Sequence, residues 1–197
     1  MYLYGASGHS KVIIDILENN KMLVEGVFDD NENIKQIFHY QVFSIKNEIK
    51  SPLIISIGNN KIRKQIAEKL TVDFGKAVHS SAVVSERATI GEGTVVMQNA
   101  VIQSCSKVGK HCIINTVASV GHDCVIANFV HIAPRTTLCG NVQVGEGSWV
   151  GAGTTIIQGV KIGKWVVIGA GAVVVRDVPD YAVVVGNPGK IIKYNNP

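Results

Sequence analysis

A branched aliphatic residue recurs at every sixth position between Val78 and Val174. The residues in this register are Val78, Val84, Ile90, Val96, Ile102, Val108, Ile114, Val120, Ile126, Ile132, Leu138, Val144, Val150, Ile156, Ile162, Ile168 and Val174. A period of six matches neither the 3.6-residue period of an α-helix nor the two-residue alternation of an open sheet. It is typical of a parallel β-helix, in which each hexapeptide forms one short flat face and the next one turns a corner.

A second register of small or β-branched residues lies four positions after the first. Its members are Ala82, Ala88, Thr94, Ala100, Ser106, Cys112, Ala118, Cys124, Val130, Thr136, Val142, Ser148, Thr154, Val160, Val166 and Ala172. An ordinary β-sandwich would match both registers only by a long series of coincidences. The pattern therefore predicts an all-β parallel β-helix domain over residues 78–197, which leaves residues 1–77 for a separate N-terminal domain.

The N-terminal residues alternate apolar runs with glycine or polar turns. Tyr2–Tyr4 reads as a strand, the turn after it leads into a helical pattern at 11–18, and a second strand covers 24–28. A buried strand at 52–57 precedes another helical face that carries Ile62, Ile66, Ala67 and Leu70. This order of elements predicts an α/β unit with a parallel sheet.

Composition supports two cores and limits the function classes. The chain has 197 residues, 46% of them hydrophobic, which suffices for two small domains. It carries no signal-peptide pattern and no apolar run of the roughly 20 residues that a membrane span needs, so we expect a cytoplasmic protein. Four cysteines without a CxxC pair fit reduced thiols, with Cys112 and Cys124 filling the core. The net charge of +4 comes without a Lys/Arg block, which argues against nucleic-acid binding.

Polar residues follow each of the three N-terminal strands. These segments are Gly5-Ala6-Ser7-Gly8-His9, Asp29-Asp30 and Gly58-Asn59-Asn60. The carboxyl ends of parallel strands meet at one edge of a sheet, where ligands bind, and a glycine turn at a helix N-terminus suits a phosphate. Taken singly, the glycine turn could be structural and Asp29-Asp30 could be an ordinary turn.

Taken together, YGASGH, FDD and IGNN followed by the hexapeptides resemble the PglD/NeuD-like nucleotide-sugar acetyltransferases of the hexapeptide-repeat acyltransferase superfamily. The resemblance covers essentially the whole chain. It implies a left-handed β-helix whose triangular coils take 18 residues each, about five coils in all, preceded by a Rossmann-like sugar-nucleotide domain. It also implies substrate-binding roles for Ser7, Gly8, His9, Asp29, Asp30, Gly58 and Asn59.

A His-Asp pair interrupts no hexapeptide but lies outside the aliphatic register. His122 is the third residue of its hexapeptide, and Asp123 follows it. A surface histidine on a solenoid is often structural, but the segment Asn115-x-x-Ser-x-x-His122 matches the family's catalytic motif and implies a general base. An amine attacking a thioester must lose a proton, and histidine titrates in the suitable range. The resemblance makes Asp123 its carboxylate partner, although PglD has the longer Glu there.

The repeat also predicts an acetyl-CoA site. Residues 18 apart stack in adjacent coils, so Gly140 should lie over His122, and a backbone N–H from residues 139–141 could face the thioester oxyanion. The same spacing aligns Pro134, Ala152 and Ala170 beside a groove for an extended cofactor. The resemblance implies acetyl-CoA contacts for Ala152, Ala170 and His131, and Asn115 could hydrogen-bond the sugar substrate or the base. Corner geometry alone would explain His131 and the glycines, and a side-chain ladder would explain Asn115.

The residues after Arg176 resemble the family's terminal D-V-P…V-x-G-x-P-A-K segment, with Gly189 in place of the usual Ala. Capping the open coil alone would justify this segment, because an uncovered end would leave strand groups unpaired. We assign His39, His79 and His111 to structure. Zinc-binding γ-type carbonic anhydrases share the β-helix, but the spacing of the histidines here does not favour a metal site.

These observations predict an acetyl-CoA-dependent N-acetyltransferase without a metal. Its substrate is expected to be a UDP-linked 4-amino-4,6-dideoxy sugar of glycan biosynthesis. The resemblance implies a homotrimer whose active sites lie between chains. An O-acetyltransferase of a sialic-acid-like sugar is the alternative enzyme, and a non-catalytic nucleotide-binding scaffold is the alternative outside catalysis.

Overall fold

A computed structural model describes residues 1–196 of the chain. The N-terminal unit is a five-stranded sheet with two helices. Its elements are β1 (Tyr2–Tyr4), α1 (Gly8–Asn19), β2 (Gly26–Asp29), β3 (Gln36–Ile37), β4 (Tyr40–Ser44), β5 (Leu53–Ile55) and α2 (Asn60–Lys69). The strand order is β3-β4-β2-β1-β5, and every pair is parallel except β3 with β4. This is the predicted Rossmann-like arrangement.

The N-terminal elements follow the apolar pattern, with two differences from the sequence prediction. Helix α1 begins at Gly8 instead of residue 11, so the second glycine of the turn already belongs to the helix. The β3–β4 hairpin was not predicted, because it joins a two-residue strand to a half-buried one through a turn at Phe38, without glycine. Its buried residues Ile37 and Val42 nevertheless join the core under α1.

The hexapeptides form seventeen two-residue strands on three faces of a left-handed prism. Face 1 contains β6 (Ala77–Val78), β9 (Val95–Val96), β12 (Ile113–Ile114), β15 (His131–Ile132), β18 (Trp149–Val150) and β21 (Val167–Ile168). Face 2 contains β7 (Val83–Val84), β10 (Val101–Ile102), β13 (Ser119–Val120), β16 (Thr137–Leu138), β19 (Thr155–Ile156) and β22 (Val173–Val174). Face 3 contains β8 (Thr89–Ile90), β11 (Lys107–Val108), β14 (Val125–Ile126), β17 (Gln143–Val144) and β20 (Lys161–Ile162).

Successive strands of each face pair in parallel at a spacing of 18 residues, as Ile102 does with Val120. With three strands to a coil, the prism has between five and six coils. The predicted aliphatic and small-residue registers fill its interior, and most of their members are fully buried. The inward period of six therefore reflects one inward residue per strand, which confirms the fold expected from the sequence.

Three corners join the faces, and from Gly93 to Gly171 one residue in each corner has a positive φ angle. Asp123 at the corner between faces 2 and 3 has φ 59°, and His111 at the corner between faces 3 and 1 has φ 53°. Most of these corner residues are not glycine, although only glycine adopts this conformation without strain. We refer to the corners as the 1–2, 2–3 and 3–1 corners.

The C-terminal segment closes the open end of the prism. Strand β23 (Ala182–Val185) adds to face 1 beside β21, and β24 (Lys190–Tyr194) folds back antiparallel on it. Val178, Ala182 and Val184 join the prism core. The segment covers the last coil, as the capping interpretation requires.

The N-terminal unit packs on the first coils of face 1. Outward side chains of that face, Ala77, Val95 and Ile113, share an apolar core with α1. The sheet edge that carries the polar turns consequently lies against the side of the prism. Neither helix in the described part of the chain has the length and apolar character that a bilayer-spanning helix requires.

Candidate functional site

The glycine turn after β1 is held in place by Asp29. One carboxylate oxygen of Asp29 accepts the Ala6 N–H at 2.6 Å, and the other accepts the Asn31 N–H at 2.7 Å. Gly5 adopts φ 111° and donates its N–H to the Phe28 carbonyl. Because both carboxylate oxygens are used, Asp29 shapes the turn that would receive a ligand.

The N-terminus of α1 is open on its outer side. Ser7 caps the helix without a side-chain hydrogen bond, and its carbonyl accepts the Ser10 hydroxyl. A Cβ atom added to Gly8 would meet no heavy atom within 4 Å. Exposed Asp30, at the neighbouring strand end, accepts the Tyr4 hydroxyl at 2.7 Å. Burial and this carboxylate raise the pKa of Tyr4. The open turn leaves backbone N–H groups accessible to an anion.

Gly58 and Asn59 follow the third strand, β5, and lie immediately before α2. Asn59 is the N-cap residue, and its side-chain oxygen accepts the Ile62 N–H at 3.0 Å. Gly58 has no heavy atom within 4 Å of an added Cβ, so this turn is also open. The predicted strand-end residues thus lie along one sheet edge.

Two histidines assigned from the sequence to different ligands come together at this edge. His131 and His9 are both half-buried residues, and the Arg63 cation is near enough to both rings, as His9 is to His131, to affect their pKa values. Burial, reinforced by Arg63, lowers the pKa of His9 to about 4 and that of His131 to about 3. Both imidazoles are therefore neutral at physiological pH.

Each of these imidazoles has one buried nitrogen without a hydrogen-bond partner among residues 1–196. The atoms are Nε2 of His9 and Nδ1 of His131. The amide nitrogen of Asn115 lies 3.1 Å from His131 Nε2, and its amide oxygen accepts the Thr116 N–H. Buried polar atoms are seldom left unpaired, so this junction has hydrogen-bonding capacity to offer a ligand.

His122 and Asp123 occupy the 2–3 corner, on the surface of the prism. The side chains are 64% and 58% exposed, and His122 Nδ1 lies 2.7 Å from Asp123 Oδ2. The pair borders a groove of about 320 Å³ on face 2, lined by Val83, Val84, Ser85, Val101, Ile102, Gln103, Ser104 and His122. An Nδ1–H donated to the carboxylate leaves Nε2 as the nitrogen with a lone pair.

Gly140 lies over this imidazole in the next coil, as the spacing predicts. The Cys139 N–H donates to the Ile156 carbonyl and the Asn141 N–H to the His122 carbonyl. Of the three N–H groups expected to face an oxyanion, two are therefore used by the coil itself. Only the Gly140 N–H has no acceptor within the described residues.

The other predicted acetyl-CoA residues lie at the opposite edge of face 2. Ala152 and Ala170 are exposed at the 1–2 corner, and hydrogen bonds from Gly153 to Pro134 and from Gly171 to Ala152 align the column. Gly140 belongs to the 2–3 corner. A single chain therefore does not bring Gly140 and Ala152 to one groove, and it does not bring His122 to His131 on face 1.

A cleft of about 730 Å³ lies between α2 and the later coils of face 1, which carry β18 and β21. It contains residues that the sequence did not indicate. The missed side chains include Lys64, Trp149, Trp165 and Tyr181, and the cleft ends at Gly58 and Asn59. Trp149 stands edge-on to His131, with ring centroids 6.4 Å apart, and is 36% exposed. Trp149 could have been identified from the sequence, because it is a large aromatic residue at an outward position of a hexapeptide.

All four cysteines are free, and Cys112 and Cys124 are buried in the prism as expected. Within residues 1–196, no three His, Cys, Asp or Glu side chains are grouped so as to hold a metal ion. His111 is buried at the 3–1 corner and stacks on Phe129, with ring centroids 5.2 Å apart.

Comparisons with known proteins cover both units. Residues 1–70 match the PglD N-terminal domain family, and residues 141–176 match the bacterial transferase hexapeptide (six repeats) family. The UDP-N-acetylbacillosamine N-acetyltransferase of Bacillus subtilis is 41% identical over 104 residues, 47% of this chain and 48% of that enzyme. The chain spans at most about half the length of the curated relatives it matches.

Two solved structures are similar along nearly the whole chain. One is a mutant of perosamine N-acetyltransferase from Caulobacter crescentus in complex with CoA and GDP-perosamine. It is 34% identical with a TM-score of 0.93, and the match covers 98% of this chain and 96% of that chain. The acetyltransferase domain of PglB from Neisseria gonorrhoeae, in complex with acetyl coenzyme A, is 36% identical with a TM-score of 0.90, and the match covers 97% and 98% of the two chains.

Proposed function

Because the chain belongs to the PglD-like family of hexapeptide acyltransferases, we propose that it transfers the acetyl group of acetyl-CoA to the amino group of a nucleotide-linked 4-amino-4,6-dideoxy sugar. The observation that carries this proposal is the His122–Asp123 pair, whose imidazole ring rests against Gly140, a residue whose N–H has no acceptor among residues 1–196.

The proposed reaction uses His122 as the general base. The sugar amine attacks the carbonyl carbon of the thioester, and its proton passes to His122 Nε2 as the C–N bond forms. Asp123 holds Nδ1–H and stabilises the imidazolium. The C–S bond then breaks, the proton returns to the departing thiolate, and an amide and free CoA result.

The Gly140 N–H is the proposed donor to the oxyanion that forms on the thioester oxygen. A donor that points at developing charge without reorganisation contributes strongly to such reactions. Gly140 is adjacent to the His122 ring, and this contact supports the proposal that the donor and the base act on the same thioester.

The nucleotide of the substrate is proposed to bind at the polar edge of the N-terminal sheet. The open turns at Gly8 and Gly58 supply backbone N–H groups for the phosphates, and Asp29 keeps the first turn in its open form. Asp30 lies at the adjacent strand end. The sugar would extend toward His9 and Asn115, and the neighbouring His131 is proposed to contact the thioester region of acetyl-CoA. His9 and His131 each offer a buried ring nitrogen without a partner among residues 1–196.

We propose that three chains assemble with face 2 directed toward the common axis. The outward residues of that face are uncharged: Val83, Val101, Ser119, Thr137, Thr155 and Val173. Face 3, by contrast, presents Lys107 and Lys161. A threefold arrangement would put the 1–2 corner of one chain beside the 2–3 corner of the next. His122 and Gly140 would then share a groove with Ala152 and Ala170 of a second copy.

The nucleotide and the exact acceptor are the finer part of the proposal. We propose UDP, which the Bacillus relative's name specifies, while the Caulobacter structure contains GDP-perosamine. O-acetylation of a sialic-acid-like sugar is the second candidate, because a hydroxyl could use the same base.

The test is a thiol-release assay with acetyl-CoA and a panel of acceptors: UDP- and GDP-linked 4-amino-4,6-dideoxy sugars, and CMP-linked or free sialic acid. We expect release with a UDP-linked amino sugar and an amide product by mass spectrometry, and loss of release in His122→Ala. Release only with sialic acid would establish the O-acetyltransferase. Binding without release for every acceptor would favour a nucleotide-binding scaffold.

A further inference from the structure

Arg63 is a buried cation at the junction of the two units. Its side chain is on α2, and the residue is 1% exposed. All five of its N–H groups donate to neutral acceptors. Nε donates to the His111 carbonyl at 2.8 Å, Nη1 to the Ile57 and Gly58 carbonyls at 2.9 and 3.2 Å, and Nη2 to Asn60 Oδ1 and the Phe129 carbonyl at 2.7 and 3.1 Å.

Asn60 extends this network to the next coil. Its amide nitrogen donates to the Gly147 and Ser148 carbonyls, each at 3.1 Å. His111, Phe129 and Gly147 are equivalent residues of the 3–1 corner in three successive coils. The start of α2 is thus hydrogen-bonded to three successive coils. These bonds fix the position of α2 along the prism axis and its orientation against face 1.

The network connects the N-terminal unit to the prism, and the proposed reaction requires a fixed position of one relative to the other. The Ile57 and Gly58 carbonyls belong to the turn proposed to hold the nucleotide. His131 lies on the strand that follows Phe129, and the Arg63 cation is near enough to lower the pKa of its ring further after burial. One guanidinium therefore contacts the turn on the sheet and the coil on the prism that carries His131.

A pure packing role would not require a cation. No carboxylate pairs with Arg63 among the described residues, and burying an unpaired charge is costly even when carbonyl groups solvate it. Burial lowers the pKa of Arg63 to about 10, which still leaves the group charged at neutral pH. A positive charge beside His9 and His131 disfavours a second one on either imidazole.

We propose that Arg63 is a positioning residue for acetyl transfer: its hydrogen bonds to the Gly58 and Phe129 carbonyls hold the Gly58 turn in a fixed position relative to the coil that carries His131. This inference rests on the proposed function. It adds a residue that contacts neither substrate but sets the relation between the nucleotide turn and the prism.

The test compares Arg63→Met, Arg63→Lys and the control Lys69→Met, which removes an exposed cation from the same helix. For Arg63→Met we expect kcat to fall about 10²-fold, as for a misplacement of about 1 Å, while the Kd values for UDP and for CoA, measured separately by calorimetry, stay nearly unchanged. Arg63→Lys should retain more activity than Arg63→Met, because it keeps the positive charge. It should be less active than the wild type, because lysine lacks the planar set of five N–H donors. Lys69→Met should behave as wild type.

A second readout needs no substrate. In protein labelled at the histidine rings, NMR titration should give higher pKa values for His9 and His131 in Arg63→Met than in Lys69→Met. The charged or titratable groups facing these rings are Arg63 for both and His9 for His131. If Arg63→Met does not fold by circular dichroism, Arg63→Lys and Asn60→Ala, which keep the cation, must show a smaller loss of kcat with nearly unchanged Kd values for UDP and for CoA.

Wild-type kcat in folded Arg63→Met, or equal fold losses in kcat and in both binding constants, would overturn the positioning role. Unchanged histidine titrations would show that the guanidinium does not lie beside the two rings, and would overturn the placement of Arg63 between the turn and the prism. If the wild-type protein releases no thiol with any acceptor, the proposed function fails on its own, and the titrations still decide whether Arg63 controls the two imidazoles.

Discussion

A Cβ atom built on Gly140 would lie 2.5 Å from Nε2 of His122, so the imidazole ring rests directly on a glycine of the next coil. A real Cβ never approaches this closely, and any side chain at 140 must displace the ring. Gly140→Ala should therefore reduce kcat/KM by about tenfold or more through misplacement of the base. The control is Gly145→Ala, whose Cβ would lie 2.5 Å from the Gly163 carbonyl carbon at the 3–1 corner. Comparable activity in the two variants, at matched thermal stability, would contradict the assignment.

His122→Ala should lower kcat/KM by about 10²–10⁴-fold, the range for loss of a general base. Its side chain is exposed, so the variant should keep the wild-type mass and CoA affinity. Asp123→Asn should cost less, because an amide oxygen can still accept Nδ1–H. Steady-state kinetics with acetyl-CoA provides the comparison, and His79→Ala is the control. Full activity in His122→Ala would refute the mechanism and redirect attention to His131.

Asp29→Ala should raise the KM of the sugar nucleotide much more than that of acetyl-CoA. The carboxylate accepts the Ala6 and Asn31 N–H groups, and without it the turn at the sheet edge loses its shape. Asp29→Asn should have a smaller effect, since one acceptor oxygen remains. Asp15→Ala, an exposed position on α1, is the control. Equal changes in both KM values would show that the two sites are not separate.

The Val101→Glu substitution should break the proposed trimer. Val101 is an outward residue of uncharged face 2, where a carboxylate would be buried between chains without a partner. Val125→Glu places the same charge at the equivalent outward position of face 3 and should leave the assembly intact. Light scattering should give three times 21.1 kDa for the wild type and Val125→Glu, and a lower mass for Val101→Glu. A wild-type mass of one chain would contradict the arrangement.

Stability should fall on acidification, and His111 contributes to this loss together with His9 and His131, whose pKa values are also lowered. Burial lowers the pKa of its imidazole to about 4, with Arg63 and Lys110 acting in the same direction and Glu92 opposing them. A lowered folded-state pKa means that the unfolded chain takes up the proton first, so stability is lost as the pH falls from 6.5 toward 4. Each such proton contributes about 1.4 kcal/mol per pH unit. His111→Phe should flatten the dependence of the urea midpoint between pH 6 and pH 5, whereas exposed His39→Gln should not. Identical slopes would exclude this account.

The prism could be predicted from the sequence because its determinants are local and periodic. Each strand contributes one inward aliphatic residue, so the period of six appears in the sequence without knowledge of any distant contact. The stacking of Gly140 on His122 followed from the 18-residue coil for the same reason. The β3–β4 hairpin was not predictable, since its two short strands are stabilised by non-local contacts, namely the pairing of β4 with β2 and the packing of Ile37 and Val42 in the core under α1.

The candidate residues were determined by the sequence, but their grouping was decided by tertiary structure. His9 and His131 are 122 positions apart and meet only because the N-terminal unit docks on face 1 at one particular height. That height depends on Arg63 and Asn60, whose acceptors are backbone carbonyls that no side-chain pattern encodes. Likewise, only the folded coil shows that the Gly140 N–H is free while its two neighbours are used, because hydrogen-bond partners along a solenoid belong to adjacent coils.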